Sequence, residues 1–281
     1  MRGKNKGITV SNIVTEVLLI LFALVFLLPI IWMFAQSLKT PEQLVSFDKL
    51  FSFPFTVRSY IEGWGGGRFL KYIVNTVTIA VLCVVGTVLS CSLAAFGFAK
   101  FQVKGKNILF MIVLSTMMVP TTVTIIPMYL FYGKLQWLNT ITPLVLPSFF
   151  GASTYNIFLL RQFFLGLPND LAEAAQIDGA GWFRIYGQIY MPNAKPALLV
   201  VIINQLVFCW NDYMGPLIYL GRPDKFTIAL GLNAFKGEIG ATIDIGPLMA
   251  MACVTILPVL ILYLSFQKYF VEGVAATGIK G

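Results

Sequence analysis

The sequence predicts an all-α polytopic membrane protein with six transmembrane helices and both termini in the cytoplasm. Three observations predict it. The 281 residues are 58% hydrophobic and only 11% charged, against about 25% charged in a soluble domain, and the mean hydropathy is +0.82. A soluble fold of this length could not cover so much apolar surface. Six apolar blocks each reach the roughly 20 residues that a helix needs to cross the hydrocarbon core. Finally, the blocks are continuous, whereas a membrane-spanning barrel would alternate polar and apolar residues.

Taken in order, the first block is 13–35, with Pro29 as a tolerated kink. The basic start (Arg2, Lys4, Lys6) is followed by no small-residue cleavage site, so the block reads as a retained helix and not a signal peptide. The outer segment 36–71 is too polar to span. It holds the turn formers Pro41, Pro54, Gly63 and Gly65-Gly66-Gly67, yet its Leu44, Phe47, Phe51, Phe53 and Phe55 argue for a small folded lobe or interfacial helix. The second block, 72–99, is uncharged throughout. Its Gly86, Ser90 and Ala94 place a small residue at every fourth position. In lipid such a stripe lets helix backbones approach closely, either within the chain or against a partner subunit.

The third block is 108–132, with Pro120 and Pro127, and the fourth is 140–160, with Pro143 and Pro147. Prolines in a span free backbone carbonyls. These are tolerated where they face protein or a water-filled cavity, so the breaks read either as packing kinks or as part of a pathway. The fifth block is 196–219, interrupted by Asp212, and the sixth is 245–267, with Pro247 and Pro258. With the N-terminus inside, eleven Lys and Arg fall on the inner side and nine on the outer. The orientation rests on the dense N-terminus and on the short loop holding Lys100, Lys104 and Lys106, where the positive-inside rule is most reliable. The chain then divides into a cytoplasmic N-terminus (1–12), a six-span domain (13–270) and a cytoplasmic tail (271–281).

Composition also excludes several functions. There is no histidine, so His-based acid–base catalysis and His metal sites are absent. The four cysteines, Cys83, Cys91, Cys209 and Cys253, lie in apolar blocks without zinc-type spacing and read as small buried hydrophobes. No paired acids or Ser/Lys set at depth supports an intramembrane enzyme. An ion-driven carrier would want a buried carboxylate relay; Asp212 comes nearest and lies toward the end of its span. The net charge of +8 comes without a basic, aromatic-interleaved groove, so nucleic acid is not expected as a partner. No G-x-x-x-x-G-K-[ST] phosphate loop occurs, so the chain is not itself an ATPase.

The longest polar segment with structural signals is 173–192, EAAQIDGAGWFRIYGQIYMP, between two long apolar blocks. Asp170 is placed to cap a helix, with Glu173 three residues on as in a capping box. That helix is expected over 171–178, and Gly179 supplies the left-handed residue just past its end. A second helix is expected over 182–190, stopped at Pro192. The result is a helix–turn–helix knuckle outside the membrane, within a loop of 166–195.

Glu173-Ala174-Ala175, then Asp178-Gly179-Ala180, then Ile189 and Pro192, resemble the EAA loop of ABC importer permeases, with the pattern E-A-A-x-x-x-G, nine residues, I-x-L-P. Met191 stands where Leu is usual, a volume-conserving exchange. Phe208-Cys209-Trp210-Asn211-Asp212-Tyr213 and the tail from Gln267 to Gly281 resemble the sugar branch of that family, close to the maltose-type permeases. The resemblance implies a permease in the prokaryotic plasma membrane that pairs with a second homologous permease. It also implies two ATPase subunits, which use ATP and Mg, and an extracytoplasmic sugar-binding protein above. The tail would reach the interface of the ATPases. The loop residues Glu173, Ala174, Ala175, Asp178, Gly179, Ala180, Phe183, Ile189 and Pro192 would form the ATPase-coupling joint. No cofactor is expected in this chain.

A solute pathway is sought among polar groups at membrane depth, which are costly and tend to mark function. Tyr155 and Asn156 lie in the fourth block, and Asn204, Gln205, Phe208 and Asn211 in the fifth. Asn204, Phe208 and Asn211 share one helix face at i, i+4, i+7. Amides beside an aromatic ring suit a sugar, which offers hydroxyls and flat C–H patches; the plain alternative is interhelical hydrogen bonding. The alternative solute is a non-sugar organic compound such as a glycerol phosphate or a polyol.

Overall fold

The computed structural model describes residues 10–45, 50–236 and 245–278, and among these every regular element is a helix. In chain order the helices are α1 (Val10–Ser37), α2 (Pro41–Val45), α3 (Arg58–Trp64), α4 (Arg68–Lys100), α5 (Lys106–Ser115), α6 (Thr121–Lys134), α7 (Thr142–Val145), α8 (Thr154–Gly166), α9 (Asp170–Ile177), α10 (Trp182–Ile185), α11 (Met191–Asn193), α12 (Lys195–Asn211), α13 (Met214–Tyr219), α14 (Ile228–Ala234) and α15 (Ile245–Gly278). Four helical stretches are long and apolar enough to cross a membrane, and six when each of two sharply bent pairs counts as one span.

The bends sit where the sequence places proline. α5 runs through a 3₁₀ turn (Thr116–Met118) and meets α6 at 95°, with extended Val119 and Pro120 at the corner. Proline has no N–H to continue the ladder, and it disfavours the helical region for the residue before it. Pro29, Pro127 and Pro258 lie inside α1, α6 and α15 without ending them. The fourth block is not one helix. α7 leads into a 3₁₀ stretch (Leu146–Phe150), Gly151 turns left-handed at φ +70°, and α8 follows. The fifth block ends earlier than its apolar composition suggests, because Asp212 is extended. The Asp212 carboxylate accepts the Gly215 N–H at 3.0 Å and so caps the start of α13. That contact accounts for the one acidic residue of the block. α15 continues to Gly278, past the end of the sixth apolar block.

The chain forms two compact units. In the first (Met1–Gly66 with Leu232–Ile256), almost all of α1 exposes its apolar side chains, whereas Ala35, Gln36, Ser37 and Lys39 are buried. The segment 36–71, expected to fold as a small lobe or interfacial helix, holds α2 and α3; its residues 46–49, including Phe47 and Lys49, lie outside the described residues. Thr40 and Gln43 close a reciprocal capping box at α2 (2.9 and 3.4 Å). Ser59 and Gly63 pack on the first turns of α15, where a Cβ on Gly63 would lie 2.8 Å from Met251.

The second unit (Gly67–Gly231 with Leu257–Gly281) is built on α4. This helix has 33 residues and is roughly 50 Å long at 1.5 Å per residue. That exceeds the hydrocarbon thickness of about 30 Å. The small-residue stripe on α4 packs within the chain. The Phe149 ring fills the space beside Gly86, where a Cβ would lie 2.7 Å from it, and the Ser90 hydroxyl donates to the Ser148 carbonyl at 2.7 Å. Cys83, Cys91 and Cys209 are buried free thiols, as their apolar surroundings suggest, whereas Cys253, expected to be buried as well, is only partly so.

Candidate functional site

The loop 166–195 folds as a knob against the C-terminal end of α4. α9 runs from Asp170 to Ile177 and closes with a two-bond left-handed cap. Gly179 has φ +79°, its N–H donates to Gln176 O at 3.0 Å, and the Ala180 N–H donates to Ala175 O at 2.8 Å. This is the 5→2 and 6→1 pair of a Schellman motif. No atom of the described residues lies within 4 Å of a Cβ built on Gly179, so glycine is favoured there by the backbone angle and not by space.

Two local expectations are corrected. Asp170 is the first helical residue and not the cap; Asn169 holds the cap position without a side-chain bond to the helix. The physical reason is competition, because the Asn169 Oδ1 already accepts the Lys100 ammonium at 2.8 Å. Nor does Pro192 stop the second helix. The chain passes from α10 through a π turn (Tyr186–Tyr190) into α11, with Pro192 in the first turn of that piece, and bends only at Ala194, by 80°, into α12. The wider π turn just before Pro192 accommodates a ring that would otherwise press on the preceding turn.

The knob has a buried face and an exposed one. Ala172, Ile185, Tyr190 and Ala194 join one core with Phe96, Ala99, Leu160 and Phe164. Phe96 is the hub, its ring meeting those of Phe101, Phe164, Trp182, Tyr186 and Tyr190 with centroids 5.1–6.2 Å apart. Ser92 shares a 2.7 Å hydrogen bond with the Tyr186 hydroxyl. On the other face Ile177 is 87% and Phe183 85% exposed, beside exposed Glu173, Ala174, Asp178, Gly179 and Pro192; Ala175, Ala180 and Ile189 are partly covered. Two large apolar side chains left this open, beside an acidic residue and a left-handed turn, suit a protein partner.

The pathway candidates do not converge on one surface. Phe208 is 64% exposed and Asn211 is exposed, its amide donating to Val207 O one turn back; Asn204 is partly buried on the same face of α12. Gln205 turns inward and donates to the Cys209 sulfur at 3.4 Å. On α8, Tyr155 is half-exposed while Asn156 is buried with an Oδ1 that has no hydrogen-bond partner. Near Tyr155 a cleft of about 500 Å³ opens along α4, α5 and the start of α8, lined by Ser90, Ala94, Phe98, Thr116, Phe149 and Thr154.

The family model for binding-protein-dependent transport system inner membrane components matches residues 86–275, a stretch that holds both the knob and the α12 face. The chain belongs to that family. As an inner membrane component it resembles the arabinooligosaccharides transport system permease protein of Bacillus subtilis, 32% identical over 97% of each chain. It also resembles the diacetylchitobiose uptake system permease protein of Streptomyces coelicolor, 30% identical over 91% of this chain and 84% of that one. A solved bacterial ABC transporter involved in the import of the acidic polysaccharide alginate shares the fold, with a TM-score of 0.83 over 96% of this chain and 100% of that chain at 24% identity.

In this inner membrane component, two of the residues that hold the knob, Ser92 and Phe96, were not singled out by sequence reasoning, and the third, Lys100, was read only as a loop charge that sets orientation. Their spacing at i, i+4 and i+8 on α4 was the available signal. Inside an apolar block, however, that spacing reads equally as packing.

Proposed function

We propose that this chain is the transmembrane permease subunit of an ATP-driven ABC importer for a sugar or oligosaccharide, seated in the prokaryotic plasma membrane with both termini and the knob in the cytoplasm. It pairs with a second homologous permease. Two ATPase subunits, which bind ATP and Mg, dock on the knobs, and an extracytoplasmic binding protein delivers the solute. The carrying observation is the knob itself: a short helix closed by a two-bond cap, fixed to a long transmembrane helix by a knot of rings, with Ile177 and Phe183 left open beside Glu173. The sugar class is supported by what the relatives are named for, and by amides beside Phe208.

In the mechanism, ATP-driven approach of the two ATPases draws the knobs together. A knob fixed to α4 cannot move alone, so the helices follow and the bundle alternates between inward- and outward-open states. Phe208, Asn204 and Asn211 offer a stacking ring and amide hydrogen bonds to a passing sugar, and Tyr155 offers an exposed ring on α8, whereas Asn156 and Gln205 are buried and would support the pathway from behind. The test is reconstitution with the partner subunits and binding protein, measuring ATP-dependent uptake of labelled oligosaccharides, with a phosphate ester and a polyol as comparison solutes. Glu173→Ala and Gly179→Asp are expected to abolish uptake while the permease remains assembled. Wild-type uptake that continues without ATP, or variants that transport normally, contradict the reading.

A further inference from the structure

Lys100 is the last residue of α4, and its ammonium touches three separate pieces of the loop. It donates to the Leu167 carbonyl at 3.2 Å, in the connection after α8. It donates to the Asn169 Oδ1 at 2.8 Å, at the cap of α9. It also lies 5.0 Å from the centroid of the Tyr190 ring, at the end of the π turn. One cation therefore ties both the beginning and the end of the knob to the end of the spanning helix. Its place at a helix C-terminus also suits a positive charge. Hydrogen bonds from a charged donor are stronger than neutral ones, and a charge over a ring adds to them.

The contact differs in kind from the ring cluster around Phe96. That cluster holds the knob by ring packing and one neutral hydrogen bond, between Ser92 and Tyr186, and reaches α9 only through Ala172. Two hydrogen bonds from one ammonium fix direction as well as distance. Of the contacts described between α4 and the knob, these alone hold α9, which carries Glu173, by a charged, directional bond to its cap. α9 otherwise contributes only Ala172 to the buried core.

We propose that Lys100 is a positioning residue for energy coupling: it sets the angle of α9 against α4, so that motion imposed on the knob reaches the membrane without loss. The inference rests on the ATPase-coupling reading above and names the side chain through which the coupling passes. Lys100 does not touch nucleotide or solute, so its loss should leave hydrolysis intact and waste it.

The experiment uses the full importer in proteoliposomes and reads solute taken up per ATP hydrolysed in one preparation. Lys100→Met keeps the stem and removes the charge and donors. Asn169→Leu removes the acceptor from an exposed loop position and leaves Lys100 in place. Both variants are expected to hydrolyse ATP at near the wild-type rate while uptake per ATP falls by about tenfold, the scale on which one charge-assisted contact acts. The double variant should be no worse than the poorer single one, because both remove the same contact. A wild-type ratio in Asn169→Leu overturns the proposal, including the case where Lys100→Met fails to assemble. Additive losses in the double variant overturn it as well. If wild type shows no ATP-coupled uptake, the coupling reading itself fails and the inference falls with it. If wild type couples and both variants match it, only the inference fails.

Discussion

Replacing Gly179 by alanine should weaken the knob without weakening the protein. Gly179 has φ +79°, and a Cβ there meets nothing within 4 Å. The cost is therefore purely conformational, about 1–2 kcal/mol for an L-residue held in the left-handed region. Since 1.4 kcal/mol is a factor of about ten in an equilibrium constant, the closed cap should open roughly ten times more often. The opening breaks two named bonds, from the Gly179 and Ala180 amides to Gln176 and Ala175. Amide hydrogen exchange reads it directly, and those two amides should exchange about tenfold faster in Gly179→Ala. Gly179→Asn should cost less, because asparagine tolerates left-handed angles. The melting temperature should hardly move, since the position is exposed. Unchanged protection in Gly179→Ala, or equal losses for Asn and Ala, would refute the argument that the backbone angle governs this position.

Other perturbations separate the roles of nearby residues. Phe96→Ala removes the ring on which five others converge and should cost about 3–5 kcal/mol, seen as a lower melting temperature and faster proteolysis at exposed Arg184. Gly86→Val drives a side chain into the Phe149 ring, already 2.7 Å from a built Cβ, so it should destabilise by about 1–3 kcal/mol in thermal unfolding of the purified permease. Phe208→Ala lies on an exposed surface of α12 and should leave stability within about 0.5 kcal/mol, while raising the solute concentration needed for half-maximal uptake.

Much of the fold follows from local chemistry. The apolar blocks became helices or bent helix pairs long enough to span, and Pro120, read as a break, became a corner, whereas the left-handed turn at Gly151 was not read from the sequence. Gly179 was legible because a left-handed turn just past an amphipathic helix leaves few alternatives. The capping box was not, since a distant lysine took the oxygen that would have capped α9; a contact across 69 residues leaves no trace in local spacing. Pro192 was misread for a related reason, because a π turn absorbs the missing hydrogen bond and periodicity counts at 3.6 residues do not represent it. The knob's anchor was hidden in composition: Phe96 among apolar neighbours looks like any buried ring. The α12 face was legible as a pattern, yet Gln205 turned out to bond within its own helix.

The central claim is that the exposed face of the knob meets an ATPase. The most direct measurement is site-specific crosslinking from Phe183→Cys and, separately, Ile177→Cys, in membranes where the chain is made with its partner ATPase. The account predicts a crosslinked permease–ATPase band from both positions, lost when Glu173 is also replaced by alanine, and no such band from Leu217→Cys in α13. Equal crosslinking from Leu217, or none from Phe183 and Ile177 in a complex that hydrolyses ATP and transports, would contradict it.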